Sequence, residues 1–211
     1  MYIRIGKVCR VGVLSLLMFA VFFCFCPTAL ISVMLSAALV HEAGHLLTIR
    51  LLGAKITSFT LTPLGADISI DRMRLSYGKE FLVFLAGGLF NLMCAAVCLL
   101  YAETSPTASY LMFANLLYAV FNLLPVRGLD GGGALEDVLL LYLTPDRADR
   151  AAHAVSFIFL FCLWTISGAI LFFSSLRSVH TVTINGSMFY MSLFLFAAHL
   201  GERRGGRRKQ K

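Results

Sequence analysis

Val40-His41-Glu42-Ala43-Gly44-His45 lies inside an apolar segment, from Thr28 to Leu52, that is long enough to cross a membrane. On a helix the two histidines share one face, with their Cβ atoms about 6 Å apart. This spacing is typical of two ligands of one tetrahedral zinc ion, with the glutamate beside them as a general base. Ionisable side chains are costly in a bilayer, so three of them in one apolar segment predict a metal that offsets the cost.

The composition of the chain indicates a membrane protein. Of its 211 residues 59% are hydrophobic and 14% are charged, and the mean hydropathy is +0.83. A soluble domain of this size cannot bury so much apolar surface, so we predict an all-α polytopic protein whose main partner is the lipid bilayer. Five of the six cysteines lie in apolar segments, and their pattern indicates neither a disulfide framework nor a cysteine zinc site.

Apolar runs and their flanking residues predict about six transmembrane helices. Residues 1–30 also have the basic and apolar parts of a signal peptide, but they lack a clear cleavage site, which favours an uncleaved first span. The fourth span is interrupted at Pro125 and is followed by a second apolar stretch, 134–143. The six predicted spans are roughly 11–26, 28–52, 80–102, 108–124, 151–173 and 188–200.

The basic residues predict the orientation in the membrane. The net charge is +7, and 17 of the 18 lysines and arginines fall in the segments on one side of the predicted spans, with Arg177 alone on the other. Positive charge marks the cytoplasmic side, so we expect a multi-pass cell-membrane protein with both termini cytoplasmic. Residues 201–211 form a basic tail that we expect near lipid headgroups, and we expect no nucleic-acid partner.

The segment between the second and third spans has a different pattern. Residues 56–61 are rich in β-formers, residues 66–71 alternate apolar and polar side chains, and Pro63-Leu64-Gly65 between them is typical of a turn. We predict a small β-hairpin at the cytoplasmic interface, and an amphipathic surface loop is an equal alternative. The exposed edge of such a hairpin could accept an extended substrate as an added strand.

A zinc site needs a third protein ligand, and Asp130 is the best candidate. Pro125 breaks the preceding helix, and four glycines close to Asp130 let the backbone bend. Irregular backbone at membrane depth is tolerated only where it lines a cavity or is buried in protein. A helix break that presents an aspartate is therefore what a metal cavity requires.

A second motif accompanies this aspartate. Asn122, Pro125, Asp130 and Gly131 fit the pattern Asn-x-x-Pro-x-x-x-x-Asp-Gly, about 80 residues after the His-Glu-x-x-His helix. With both motifs, the chain resembles the site-2 protease family of intramembrane zinc metalloproteases over about residues 1–200. Residues 86–91 are similar to the small-residue and Asn segment between these motifs. The six-span arrangement is most similar to the sporulation branch, typified by stage IV sporulation protein FB, and we expect neither a PDZ nor a CBS domain.

The resemblance implies a role for each matching residue. His41, His45 and Asp130 match the ligands of one zinc ion, and Glu42 matches the catalytic base. Asn122 matches a polar residue that helps to hold substrate near the metal. Asn91 either lines the substrate site or makes a hydrogen bond between helices, and the sequence leaves both open.

The resemblance thus implies hydrolysis of peptide bonds in membrane-associated precursor proteins near the cytoplasmic face of a bacterial membrane. In the sporulation branch the precursor is that of a transcription factor, and control by an inhibitory membrane partner is left open. The alternative is a zinc-binding membrane scaffold without turnover, which has no use for Glu42. A metal transporter is disfavoured because the chain lacks internal repeats and polar residues spread over several spans.

Overall fold

The computed structural model describes residues 2–5, 9–12, 24, 27–54, 56–62, 65–70, 76–175, 193 and 196. Strands come first along the chain, are interrupted by a long helix, and are followed by further helices. The elements are β1 Tyr2–Ile5, β2 Cys9–Gly12, α1 Thr28–Leu51, β3 Ile56–Thr62, β4 Gly65–Ile70, α2 Tyr77–Leu99, α3 Pro106–Asn122, α4 Asp130–Tyr142 and α5 Pro145–Ser175.

The four strands form one sheet in the order β1-β2-β3-β4. β3 and β4 are antiparallel, with Phe59 opposite Ile68, and they occupy the segment in which a hairpin was predicted. β2 joins them by parallel pairing with β3, with Val11 opposite Leu61. The predicted first span therefore begins too early: Val11 and Gly12 belong to a strand, because the backbone groups of β2 pair with a distant strand instead of within a helix. Apart from Cys24, its residues from 13 to 26 lie outside the described ranges.

Among the described residues, three helices are long and apolar enough to cross a membrane: α1, α2 and the Pro145–Phe172 part of α5. They correspond to the second, third and fifth predicted spans. α5 begins at Pro145 instead of near residue 151, because proline supplies the preset φ angle of a first helical residue. The predicted fourth span is the 17-residue α3, at the short end of what crosses a bilayer. Of the predicted sixth span, only Leu193 and Phe196 are described.

The helices bury small and polar side chains and expose large apolar ones. α2 packs against α1, α3 and α4. Leu39, Leu117 and Met93 are 70%, 69% and 65% exposed. This distribution suits helices whose outer surface faces lipid and whose contacts use small residues and hydrogen bonds, and it indicates a membrane protein. Buried small or polar residues include Ala37, Ala86, Asn91, Asn115, Ala119 and Ser156.

The connection between α3 and α4 is the irregular segment that the sequence predicts around Pro125. α3 ends at Asn122, and Gly128 has a φ angle of 89°, which favours glycine. Val126 and Leu129 of this loop are buried in an apolar cluster with Leu160 of α5. The loop is therefore held against α5 immediately before Asp130.

Candidate metal centre

His41 and His45 lie one turn apart on α1 and converge on one point. Both are buried, with 3% and 7% of their surface exposed. Their rings meet edge to face with centroids 4.6 Å apart, and their Nε2 atoms are 3.1 Å apart. The helical spacing thus presents two ring nitrogens to a single place inside the protein.

Asp130, the first residue of α4, reaches the same place from a distant part of the chain. Its Oδ2 atom lies 2.8 Å from Nε2 of His41 and 3.1 Å from Nε2 of His45. The three predicted ligands are the one group of histidine, cysteine and acidic side chains within the described residues whose donor atoms cluster as a metal site requires.

Glycines after Asp130 make this approach possible. A Cβ atom at Gly131 would overlap the carbonyl group of Leu123, and one at Gly132 would overlap that of Val126. The loop therefore folds directly over the start of α4. Side chains at these two positions would push the loop and Asp130 apart.

The other ring nitrogen of each histidine is held by a hydrogen bond. Nδ1 of His45 lies 2.8 Å from the carbonyl oxygen of Val83. A carbonyl oxygen only accepts, so Nδ1 of His45 carries a hydrogen, and in the neutral ring Nε2 is then the nitrogen with the lone pair. Such a partner commonly fixes the ring orientation of a metal ligand.

Asn91 serves His41 in the same way. Its Nδ2 group donates to the carbonyl of Ala37 and to Oδ1 of Asn115, at 2.8 Å each. Its own Oδ1 is left to accept from Nδ1 of His41, at 2.9 Å. Nε2 of His41 therefore also keeps a lone pair that faces Asp130.

The donor set fits a zinc ion. Two neutral imidazole nitrogens and one carboxylate oxygen meet at 2.8–3.1 Å, with a hydrogen-bond partner behind each ring. Tetrahedral coordination at zinc–ligand distances of about 2.0–2.1 Å separates ligand atoms by about 3.3 Å, close to these values. With both rings neutral, a divalent cation between them would accept a lone pair from each of the three donor atoms.

Glu42 and Tyr118 lie beside this cluster. Glu42 is half-buried on α1 next to His41. The ring of Tyr118, on α3, meets the ring of His41 edge to face at 5.0 Å. Tyr118 belongs to neither sequence motif. The sequence feature that could have identified Tyr118 is its position one helical turn before Asn122, on the same face of α3.

The structure places the two predicted substrate residues differently. Asn91 is fully buried behind His41 and makes the interhelical hydrogen bonds that were one of its two predicted roles. Its amide groups are hydrogen-bonded to other protein atoms, so Asn91 orients the ring of His41, a predicted ligand. Asn122 is half-buried at the end of α3, and its Nδ2 group donates to the carbonyl of Tyr118 at 3.0 Å. Its contact with substrate stays a prediction.

A cavity of about 890 Å³ lies between α2, α4 and the beginning of α5, and none of the three predicted ligands lines it. Glu80 lines it and precedes Val83, the partner of His45, by one helical turn. Gly133 also lines it and follows Asp130 by one turn. The acidic residues that line the cavity are Glu80, Glu136, Asp137, Asp146 and Asp149.

Comparison with known proteins shows similarity to metalloproteases over part of the chain. A model of peptidase family M50 matches residues 29–107, which include His41, Glu42 and His45 but end before Asp130. A zinc metalloprotease of Methanocaldococcus jannaschii is 27% identical over 110 residues, which make up 49% of this chain and 32% of that protein. The matched region thus spans about a third of that relative's length.

A solved structure extends the likeness to the whole fold. The site-2 protease from Methanocaldococcus jannaschii superposes with a TM-score of 0.65, over 96% of this chain and 94% of that one, at 20% sequence identity. This likeness shows that the chain has the fold of that protease.

Proposed function

We propose that this chain is an intramembrane zinc metalloendopeptidase of the site-2 protease type, within peptidase family M50. The observation that carries the proposal is the convergence of His41, His45 and Asp130 next to Glu42. The family match over residues 29–107 supports it, as do the zinc metalloprotease relative and the shared fold. The predicted cofactor is one zinc ion.

The residues of the site divide the chemistry among them. Zinc, when bound to His41, His45 and Asp130, supplies a Lewis acid that activates water and polarises a peptide carbonyl. Glu42 takes a proton from the attacking water and passes it to the leaving amine nitrogen, which restores its carboxylate. Asn91 holds the ring of His41 in the orientation that this arrangement needs.

We further propose a six-span topology with both termini in the cytoplasm of a bacterial cell. His41 and His45 lie in the half of α1 nearer to its C-terminal end, which the basic residues that follow assign to the cytoplasmic side. Cleavage would therefore occur near the cytoplasmic face. The proposed substrate class is a membrane-associated precursor, with a sporulation transcription factor as the particular case that the sequence resemblance suggests.

The substrate must lose its helical structure locally, because a helix surrounds its own peptide bonds with backbone and side chains. β4 is the outer strand beside β3 in the described sheet. An extended substrate segment could pair with it and recover the backbone hydrogen bonds that it loses on unwinding. Asn122 is the proposed side-chain contact.

Peptide termini in cell membranes test the activity directly. Membranes with the wild type, Glu42→Gln or Glu103→Gln would be compared by mass spectrometry. Glu103 is exposed in the turn between α2 and α3, so its variant makes the same chemical change away from the site. We expect termini near transmembrane segments with the wild type and Glu103→Gln that are absent with Glu42→Gln.

Zinc content separates the protease from the zinc-binding scaffold. Purified Glu42→Gln should keep zinc, and Asp130→Ala should lose it. Zinc binding by the wild type with the same termini in every membrane sample would favour the scaffold. Full zinc content in Asp130→Ala would remove Asp130 from the proposed ligand set.

A further inference from the structure

The loop that precedes Asp130 is bound to α5 by hydrogen bonds and apolar contacts. α5 itself contributes none of the predicted ligands. We propose that Arg127 and Ser156 are positioning residues, which fix the loop against α5 and so hold Asp130 where it meets the two histidines. This inference rests on the proposed zinc site. It assigns a role to residues that neither sequence motif includes.

The side chain of Arg127 joins two helices. Its Nη1 group lies 2.5 Å from Oδ1 of Asp149 and 2.7 Å from Nδ1 of His153, both on α5. Its Nη2 group lies 3.8 Å from Oε2 of Glu136 on α4. This guanidinium therefore links the middle of α4 to the first turns of α5, and Arg127 itself precedes the third ligand, Asp130, by three residues.

A buried hydroxyl holds the backbone of the same loop. Ser156 is fully buried on α5. Its Oγ atom accepts from the backbone N–H of Arg127 at 3.1 Å and lies 3.3 Å from the carbonyl oxygen of Pro125. The hydroxyl also donates to the carbonyl of Ala152 at 2.8 Å. The loop is thus tied to α5 through its backbone as well as through the Arg127 side chain.

Apolar packing completes the attachment. Val126 and Leu129, on either side of Arg127, are 1% and 6% exposed and contact the fully buried Leu160 of α5. A metal site needs its ligands within about 0.5 Å of their working positions. The contacts with α5 add to the backbone hydrogen bonds within the loop and contribute to that accuracy.

The proposal predicts an effect on metal binding that exceeds any effect on global stability. The side chain of Asp149 is 51% exposed, and ion pairs at such positions add little to stability. The ion pair between Arg127 and Asp149 nevertheless helps to position Asp130, the predicted ligand three residues after Arg127. Loosening it should therefore weaken zinc binding while the thermal midpoint of unfolding changes little.

A double-mutant cycle on the full chain in detergent micelles tests this role. Zinc dissociation constants would be measured by chelator competition for the wild type, Arg127→Gln, Asp149→Asn and the double variant. We expect each single variant to bind zinc about tenfold more weakly, in line with other residues that support metal ligands. The double variant should be no weaker than either single one, because both remove the same link. Arg147→Gln, an exposed arginine on α5, should match the wild type.

Two results would overturn the proposal. The first is wild-type zinc affinity in both single variants. The second is a loss of zinc affinity that adds up in the double variant and parallels the fall in its thermal midpoint of unfolding. Should Arg127→Gln fail to fold, the surface variant Asp149→Asn decides by itself. The outcome is distinct from failure of the proposed function. A wild type that binds no zinc refutes the metal site, whereas a zinc-binding, active wild type with equally tight variants refutes the positioning role alone.

Discussion

At the scale of single residues, Asn91 determines which nitrogen His41 offers to the cluster. Its amide is oriented by Ala37 and Asn115, which leaves its oxygen for Nδ1 of His41. In the Asn91→Ala variant His41 loses this partner, and its ring is free to turn. We expect zinc affinity to fall by about 10–100-fold, as for other partners of metal-binding histidines, measured by chelator competition.

Asn122→Ala is the contrasting variant for this prediction. The Asn122 amide donates within its own helix, so its loss should leave zinc affinity unchanged and, if it holds substrate, raise KM. Equal zinc affinities of Asn91→Ala and the wild type would show that the hydrogen bond to His41 does not orient a metal ligand.

The sequence predicted residues whose positions depend on local geometry. His41, Glu42 and His45 follow from helical spacing alone, and Asp130 followed from a helix break next to glycines. The role of Asn91 stayed open because it depends on how α2 is rotated about its axis relative to α1. Tyr118 was missed for the same reason, since only the packing of α3 brings its ring against His41.

At the scale of elements, Gly87 lets α2 approach α1 at the cluster. A Cβ atom there would lie 2.6 Å from Cε1 of His41 and would also overlap the ring of His45. Alanine within a helix normally stabilises it by about 0.5–1 kcal/mol relative to glycine. We expect Gly87→Ala instead to displace both rings and to lower zinc binding at least tenfold, measured by zinc content after purification.

Gly78→Ala is the matched control, because it lies on the same helix and an added Cβ would meet nothing within 4 Å. It should bind zinc as the wild type does. Normal zinc content in Gly87→Ala would mean that the helices can separate at this point without disturbing the histidines.

The sheet yields a second prediction at this scale. Ile68 lies on β4 opposite Phe59, and proline at this position removes a backbone N–H and disfavours the strand. We expect Ile68→Pro to slow cleavage severalfold while zinc content stays normal, measured as the rate at which new substrate termini appear. Ile68→Thr keeps the N–H and the β-branched side chain and should cleave at nearly the normal rate. Equal rates for both variants would count against strand addition by the substrate.

The elements differ in how far the sequence could predict them. Local patterns located α1, α2 and the segment of β3 and β4, because each depends on apolar runs or alternation close in sequence. The parallel pairing of β2 with β3 joins Cys9 to Phe59, and no local pattern reports a partner about 50 residues away. Residues 11 and 12 were therefore assigned to a membrane span when they belong to the sheet.

At the scale of the whole molecule, several polar side chains of the described helices lie inside, whereas many of their large apolar side chains lie outside. Asn91, Asn115 and Ser156 are almost completely buried, whereas Leu39 is 70% exposed. In water such an arrangement would leave a large apolar surface open to association. In a bilayer it places the costly groups against one another and the leucines against lipid. This distribution of side chains therefore suits a bilayer better than water.

The orientation of that molecule in the membrane gives the last prediction. Positive charge assigns the segments around 50–79, 127–150 and 201–211 to the cytoplasm, and α1 and α2 then cross in opposite directions. The turn after α2, at Glu103, must face the other side. An epitope inserted there should react with an impermeant antibody in cells whose wall has been removed and whose membrane is intact. A C-terminal epitope should react only after the membrane is permeabilised. Since α1 would then run towards the cytoplasm, the same result would put His41 and His45 in its cytoplasmic half. Reaction of both epitopes in intact cells would place the C-terminus outside as well. That result needs an even number of spans between Glu103 and the C-terminus, where the six-span topology has three, so that topology would be wrong.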